Sequence, residues 1–269
     1  MATQTGPFIF KGKIQNTRGY TRIKSKKKFV GVHGGPTKTE FLTLPSLANM
    51  RANAKESEAC FAAGAVLDNL LLGKNFSKAG NTSKGELIAA CKQLIKLDLV
   101  KPVGERDLQF SSGAADATKL FEGKCFSYYN FSSILNANYV VEFNVPAHEF
   151  GIQIVEDIYP GAWNMVPAAA NKFKLEVRVL FISDYIYSPT AKKYYPIAAP
   201  QYESASSGWH SIDPGIVAPT YISANIISPT PTGVGIFINS FITFAKFVNG
   251  VDYVLKQYPI SKIIRFGSN

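Results

Sequence analysis

The stretch Val234 to Phe247, VGIFINSFITFAKF, limits the choice of fold more than any other part of the chain. Side chains of a strand alternate between its two faces. Val234, Ile236, Ile238, Ile242 and Phe244 therefore share one face, while Phe237, Phe241 and Phe247 occupy the other. Neither face suits water, so the strand must be covered on both sides. The cover comes from a second sheet, from a helical layer of the same molecule, or from a neighbouring copy. On the last reading Phe237, Phe241 and Phe247 are interface candidates.

The surrounding sequence supplies further strands. Val248-Asn249-Gly250-Val251 is a hairpin signal, with VDYVLKQY as the returning strand and KIIRF, residues 262–266, as a closing one. Upstream, Phe173, Leu175, Val177, Val179 and Phe181 alternate with Lys172, Lys174, Glu176 and Arg178, the pattern of a strand with one wet face. Tyr139, Val141, Phe143 and Val145 alternate in the same way with Asn138, Val140, Glu142 and Asn144. Prolines from Pro160 to Pro231 punctuate the intervals between strands, which favours a multi-stranded antiparallel sandwich.

Helical periodicity is confined to the first half. From Thr43 to Gly73 the residues Leu44, Leu47, Ala48, Ala54, Phe61, Ala65 and Leu72 predict an apolar stripe, with Arg51, Asn53, Lys55, Glu56, Glu58 and Asp68 on the polar side. Pro45 fits the first position of this helix and Gly73 its stop. Ser83 with Glu86 forms a capping-box pattern before a second stripe of Leu87, Ala90, Cys91, Leu94 and Ile95. The two predict a helical hairpin. Residues 99–123 are turn-rich and either hold a strand and a short helix or form the connection between layers.

Charge is distributed unevenly. Residues 1–40 hold nine Lys and Arg against Glu40 alone, a net of +8, whereas the remainder contributes only +2 of the total +10. Lys11, Lys13, Arg18, Tyr20, Arg22, Lys24, Lys26, Lys27 and Lys28 fall within a segment that reads as two or three short strands. Such a stripe serves assembly or polyanion binding, with Tyr20 available to stack on a base. Alternatively it is a solvated edge on which lysines discourage strand pairing.

No established catalytic pattern is present. His33-Gly34-Gly35 lacks the Gly-x-Ser-x-Gly that an oxyanion-hole loop would accompany, and Gly6 to Lys13 has the wrong glycine spacing for a phosphate loop. His148-Glu149 and His210 with Asp213 are the only acid–base pairings to weigh, and adjacency in sequence is not a catalytic geometry. Cys60, Cys91 and Cys125 form no metal or disulfide spacing and read as small buried residues. The expectation is no enzyme, no cofactor and no metal. The start of the chain lacks a secretory pattern and no stretch reads as a transmembrane helix. A cytoplasmic location is expected, with release by lysis or a non-classical route left open.

Two portions, GGPTKTEFLTLPSLANMRANAKESEACFAAGAVLDNLL and FITFAKFVNGVDYVLKQYPISKIIRF, resemble a group of uncharacterised bacterial proteins. That group has a basic Gly-containing N-terminus, an Arg-x-Asn-x-x-Glu helix, here Arg51, Asn53 and Glu56, and a closing strand-Asn-Gly-strand hairpin, here Asn249, Gly250 and Tyr253. The resemblance implies a two-part architecture and no activity.

The expected fold is α+β and mainly β. Residues 1–123 form a short basic β arm and a two-helix hairpin, and residues 124–269 an antiparallel β-sandwich. The expected function is a non-enzymatic structural subunit that assembles with copies of itself into a filament, tube or phage-like particle through its arm and sheet edges. The alternatives are nucleic-acid binding through residues 11–28, and a glycan- or surface-binding sandwich to which Trp163, Trp209, Tyr185, Tyr187, Tyr194 and Tyr195 point.

Overall fold

The computed structural model describes all residues except 1, 4–11, 15–16, 22–27, 33–36, 73–81, 113–114, 126–133, 136–137, 156–162, 165, 213–221 and 256–259; for the strands before residue 37 and for residues 82–83 it describes the backbone alone. Met1–Arg51 form one compact unit and Ala52–Asn269 another. The division therefore falls well before the boundary expected at residues 123/124. The reason is that the helices beyond Arg51 bury their apolar faces on the main sheet and share its core.

In the first unit, strands β1 (Ala2–Thr3), β2 (Gly12–Ile14), β3 (Thr17–Thr21) and β4 (Lys28–Val32) form an antiparallel sheet in the order β1-β4-β3-β2. Helix α1, Lys38–Thr43, opens with a reciprocal cap in which Glu40 N–H donates to Thr37 Oγ1 and Thr37 N–H to Glu40 Oε2. Pro45 begins a 3-10 turn, Pro45–Leu47, where its missing N–H leaves nothing unpaired. Arg51 Nη1 donates to the Phe41 and Leu44 carbonyls at 2.8 and 2.9 Å, which satisfies the end of α1.

Helix α2, Ala48–Val66, runs on into a π-helical segment, Leu67–Leu72. Its buried face is not the expected one. Glu56, Ala59, Cys60, Ala63, Gly64, Leu67, Leu71 and Leu72 face inward, whereas Phe61 is 52% exposed and Ala54 also faces out. Small residues explain the change of face. A Cβ on Gly64 would lie 2.5 Å from Ile88 Cγ1 and 3.3 Å from Ile88 Cα, so helix α3, Thr82–Leu94, approaches there closer than a side chain permits. The predicted stripe of α3, Leu87, Ala90, Cys91, Leu94 and Ile95, is buried throughout. A 3-10 turn, Ile95–Leu97, ends this segment, and a short helix α4, Ala115–Phe121, follows.

The β portion comprises β5 (Tyr139–Asn144), β6 (Glu149–Ile154), β7 (Lys172–Ser183), β8 (Tyr185–Ser188), β9 (Lys193–Pro196), β10 (Gln201–Ser206), β11 (His210–Ser211), β12 (Ile222–Ile227), β13 (Val234–Val248), β14 (Val251–Val254) and β15 (Ile260–Ser268). Pairing is antiparallel throughout. β10 and β11 line one side of β7, β13 pairs with its other side, and β14 and β15 share the far side of β13. A smaller sheet has the order β12-β6-β5, and β8 with β9 form a separate hairpin. A bulge in β15 opposite Ile238 and Asn239 leaves Ile264 without a cross-strand partner on β13, and alternation along β15 puts Ile263 in one core and Ile264 in the other.

The main sheet is covered on both sides, as the two-faced strand requires. Ile236, Ile238, Ile242 and Phe244 pack with Phe173, Leu175, Val177 and Val179 against Phe150, Ile152, Ile154, Ile222, Ala224 and Ile226 of the smaller sheet. This is an α+β, mainly β, sandwich-like fold. On the opposite face Phe237 and Phe241 meet Leu71, Leu72 and Phe121 of the helical layer and Phe110 of the loop before α4, and the Phe237 and Phe121 rings meet edge-on at 5.0 Å. Asn239 joins the layers through buried hydrogen bonds to Ser261 Oγ, at 2.9 Å, and the Leu71 carbonyl.

Carboxylates hold the loop from Asp98 to Ser111. Asp98 accepts from the backbone N–H groups of Val100, Lys101 and Asp107. Burial alone would raise its carboxyl, but these donors and the Lys101 charge outweigh it and hold the group below the ordinary aspartate value. Asp107 binds Lys101 Nζ at 2.7 Å and accepts from Tyr187 N–H, while Asp184 receives both the N–H and the hydroxyl of Ser111. Glu56 anchors the middle of the loop, accepting from Gly104 N–H at 2.6 Å, Arg106 Nε at 2.9 Å and Arg106 Nη2 at 2.6 Å.

Candidate association surface

The far end of β13 outruns its neighbour. Its last partner on β7 is Lys172, opposite Ala245. Asn171 then supplies a substitute rung, its Oδ1 accepting from Phe247 N–H at 2.7 Å and its Nδ2 donating to Phe247 O at 3.2 Å. Beyond this rung the chain reverses through Asn249 and Gly250, with φ of 51° and 84°, the left-handed pair that a tight hairpin turn demands. β14 pairs back along Ala245 to Val248.

The pairing dictates which backbone groups remain free. Residues flanking a two-residue turn exchange both hydrogen bonds, and the pattern repeats every second residue. Val251 and Tyr253 therefore face β13, as Leu255 does when its N–H donates to Phe244 O. The N–H and C=O groups of Asp252 and Val254 point the other way, and among the described residues no strand pairs with that edge. Phe247, Val248, Val251, Tyr253 and Val254 cluster around it, each between 37% and 57% exposed.

Beside the hairpin lies the wet face of β7. Lys172 Nζ sits 3.7 Å above the Phe247 ring and 3.1 Å from Asp252, and Lys174 Nζ is 5.3 Å from the Trp209 ring centre and 2.9 Å from Glu176. Thr243 also donates to Glu176, and the Arg178 guanidinium lies 5.0 Å from the Phe241 ring. Both lysines are matched by carboxylates as well as rings. The face therefore offers little unbalanced charge, and its aromatics are already occupied by cations.

Of the residues singled out in the basic segment, Lys11, Arg22, Lys24, Lys26 and Lys27 lie outside the described residues. Lys13 falls on β2 opposite Arg18 of β3, Tyr20 of β3 opposite Phe29, and Lys28 of β4 opposite Thr21. Phe237 and Phe241 take their cover from this chain's own helices, so of the three interface candidates Phe247 alone reaches the surface. Trp163 is buried against Phe173 and Phe244, with ring centres at 4.7 and 5.6 Å, which removes it as an exposed aromatic.

The histidines do not form acid–base pairs among the described residues. His148 Nδ1 accepts from Thr230 N–H, and His210 Nε2 donates to the Ser207 carbonyl; His33 and Asp213 lie outside the described residues. Cys60 and Cys91 are buried free thiols, and burial pushes the Cys60 thiol up to about 12. Asn171 was not indicated by any sequence motif, and Trp209 was indicated only as a pointer to glycan or surface binding, since their roles here depend on which strands become neighbours. Among the described residues no group of three His, Cys, Asp or Glu is placed to hold a metal ion, and no helix is long and apolar enough to cross a membrane. Comparison of the chain with protein-family models, with curated proteins and with solved structures finds no match.

Proposed function

We propose that this chain is a non-enzymatic structural subunit that joins copies of itself, as a filament, tube or closed particle, by adding strands at sheet edges. The observation that carries the reading is the β13–β14 hairpin, whose outer backbone is unpaired among the described residues and whose apolar side chains surround that edge. Such an edge is a template for another strand, giving main-chain hydrogen bonds and apolar burial in one contact. The occupant is a strand of a second copy. The four-stranded sheet of the first unit provides it, because its terminal strands β1 and β2 are also edges among the described residues. Two unlike edges on one chain permit head-to-tail contact, which gives rings if it closes and filaments if it does not. The +8 charge of residues 1–40 would meet acidic surface on the next copy, a contact that salt weakens.

Particle size measured by light scattering and negative-stain electron microscopy, at low and high salt, tests the reading. Large assemblies should form, should weaken in salt, and should be dispersed by Val251→Lys with Tyr253→Lys while circular dichroism and melting temperature are retained. A monomer at every concentration and salt, or unchanged assembly by the double variant, would overturn it. The basic segment supports a second reading, binding of nucleic acid through residues 11–28, which predicts duplex or single-strand affinity that falls steeply with salt.

A further inference from the structure

A cleft of about 360 Å³ opens between α2 and α3, near the lower end of the range typical of small-ligand sites. Its charges come from three elements. α2 contributes Glu56, α3 and its terminal 3-10 turn contribute Lys92 and Lys96, and the loop after Asp98 contributes Arg106. Glu56 is spent on Arg106 and Gly104, and the Cys60 thiol is neutral, so the cleft keeps an excess of two positive charges. Arg106 binds Glu56 through Nε and Nη2, which leaves Nη1 uncommitted among the described residues.

The remaining wall is mixed, with Asn53, Ser57 and Gln93 polar and Cys60, Ala89 and Ile95 apolar. Asn53 and Gln93 line the cleft and their side-chain amides make no hydrogen bond among the described residues, while Ser57 uses its hydroxyl proton on the Asn53 carbonyl, leaving lone pairs to accept. No aromatic ring lines the space. Lys92 Nζ is instead held at 5.2 Å from the centre of the Phe61 ring.

We infer that the cleft between α2 and α3 binds a small hydroxylated phosphate monoester of the sugar-phosphate class. Lys92, Lys96 and Arg106 Nη1 supply the cationic donors that a dianionic phosphate selects. The amides of Asn53 and Gln93 supply partners for hydroxyl groups, as a polyol requires and a bare anion does not. The absence of a stacking surface disfavours a nucleotide, whose base would seek an aromatic face. This site is separate from the β13–β14 edge, and neither proposal depends on the other.

Isothermal titration calorimetry of the full chain at low ionic strength, with glucose 6-phosphate as the probe and glucose and inorganic phosphate as comparators, tests the inference. Glucose 6-phosphate should bind saturably with one site per chain, more tightly than inorganic phosphate, and glucose should give no saturable heat. Lys92→Ala with Lys96→Ala should weaken the sugar phosphate by at least about tenfold without lowering the melting temperature. Absence of saturable binding by the wild-type chain, equal affinity in the folded double variant, or inorganic phosphate binding as tightly as the sugar phosphate would each overturn the assignment.

Discussion

Replacing Glu56 by Gln keeps the side chain's shape and removes its charge at a site only 5% exposed. The carboxylate accepts three hydrogen bonds, two of them from Arg106, whose side chain is 14% exposed. Gln keeps one acceptor for these donors but turns an NH2 toward a guanidinium. Breaking a buried ion pair by removing one partner costs about 3–5 kcal/mol. The partial access of water to Arg106 places the expected loss at the lower end, about 3 kcal/mol. With a urea m-value of about 3 kcal/mol/M for a chain of this size, the unfolding midpoint should fall by about 1 M at unchanged slope. Arg106→Met should cost a similar amount, and the double variant should recover about 2 kcal/mol relative to the sum. A midpoint shift below about 0.2 M for Glu56→Gln, or additivity of the two substitutions, would refute the view that this pair anchors the loop.

Gly64→Ala should destabilise the chain by about 1–3 kcal/mol, because the new methyl meets Ile88 backbone atoms that cannot swing aside; a thermal melt checks this, and a neutral result would mean that α2 and α3 separate freely. Asp98→Asn should lower stability at pH 7 and lose that effect in acid. The folded-state carboxyl lies below its unfolded value of about 3.9, so its contribution is present above that pH and disappears as pH falls through the folded value. Urea titrations of both proteins between pH 7 and about pH 2 should therefore converge at the acidic end.

The strands were more legible than the helices, for a physical reason. β13 and β7 announce themselves because large apolar residues occur at fixed alternation, and Asn249-Gly250 has little use except as a tight turn. In α2 the pattern misleads. Phe61 is the obvious apolar residue, yet Ala59, Ala63 and Gly64 go inside, because close approach of α3 rewards small residues more than bulk. Glu56 reads as polar surface in sequence, since its partner Arg106 lies 50 residues away. The association surface was half visible. The hairpin stood out, while the Asn171 rung and the Trp209–Lys174 contact depend on strand neighbours that composition cannot name.

β7 and β13 have a further consequence as the walls common to both cores. Leu180, Ile182, Phe237 and Phe241 serve the helical side, and Val177, Val179, Ile236 and Ile238 serve the sandwich side of the same two strands. Peeling away the helices would expose the backs of strands whose fronts still hold the smaller sheet. The helical layer should therefore show no melting transition of its own, and Ala52–Asn269 should lose structure cooperatively, in one calorimetric event. Backbone amides at the centre of β13 sit at the top of that hierarchy, opening to solvent exchange only when this whole unit does.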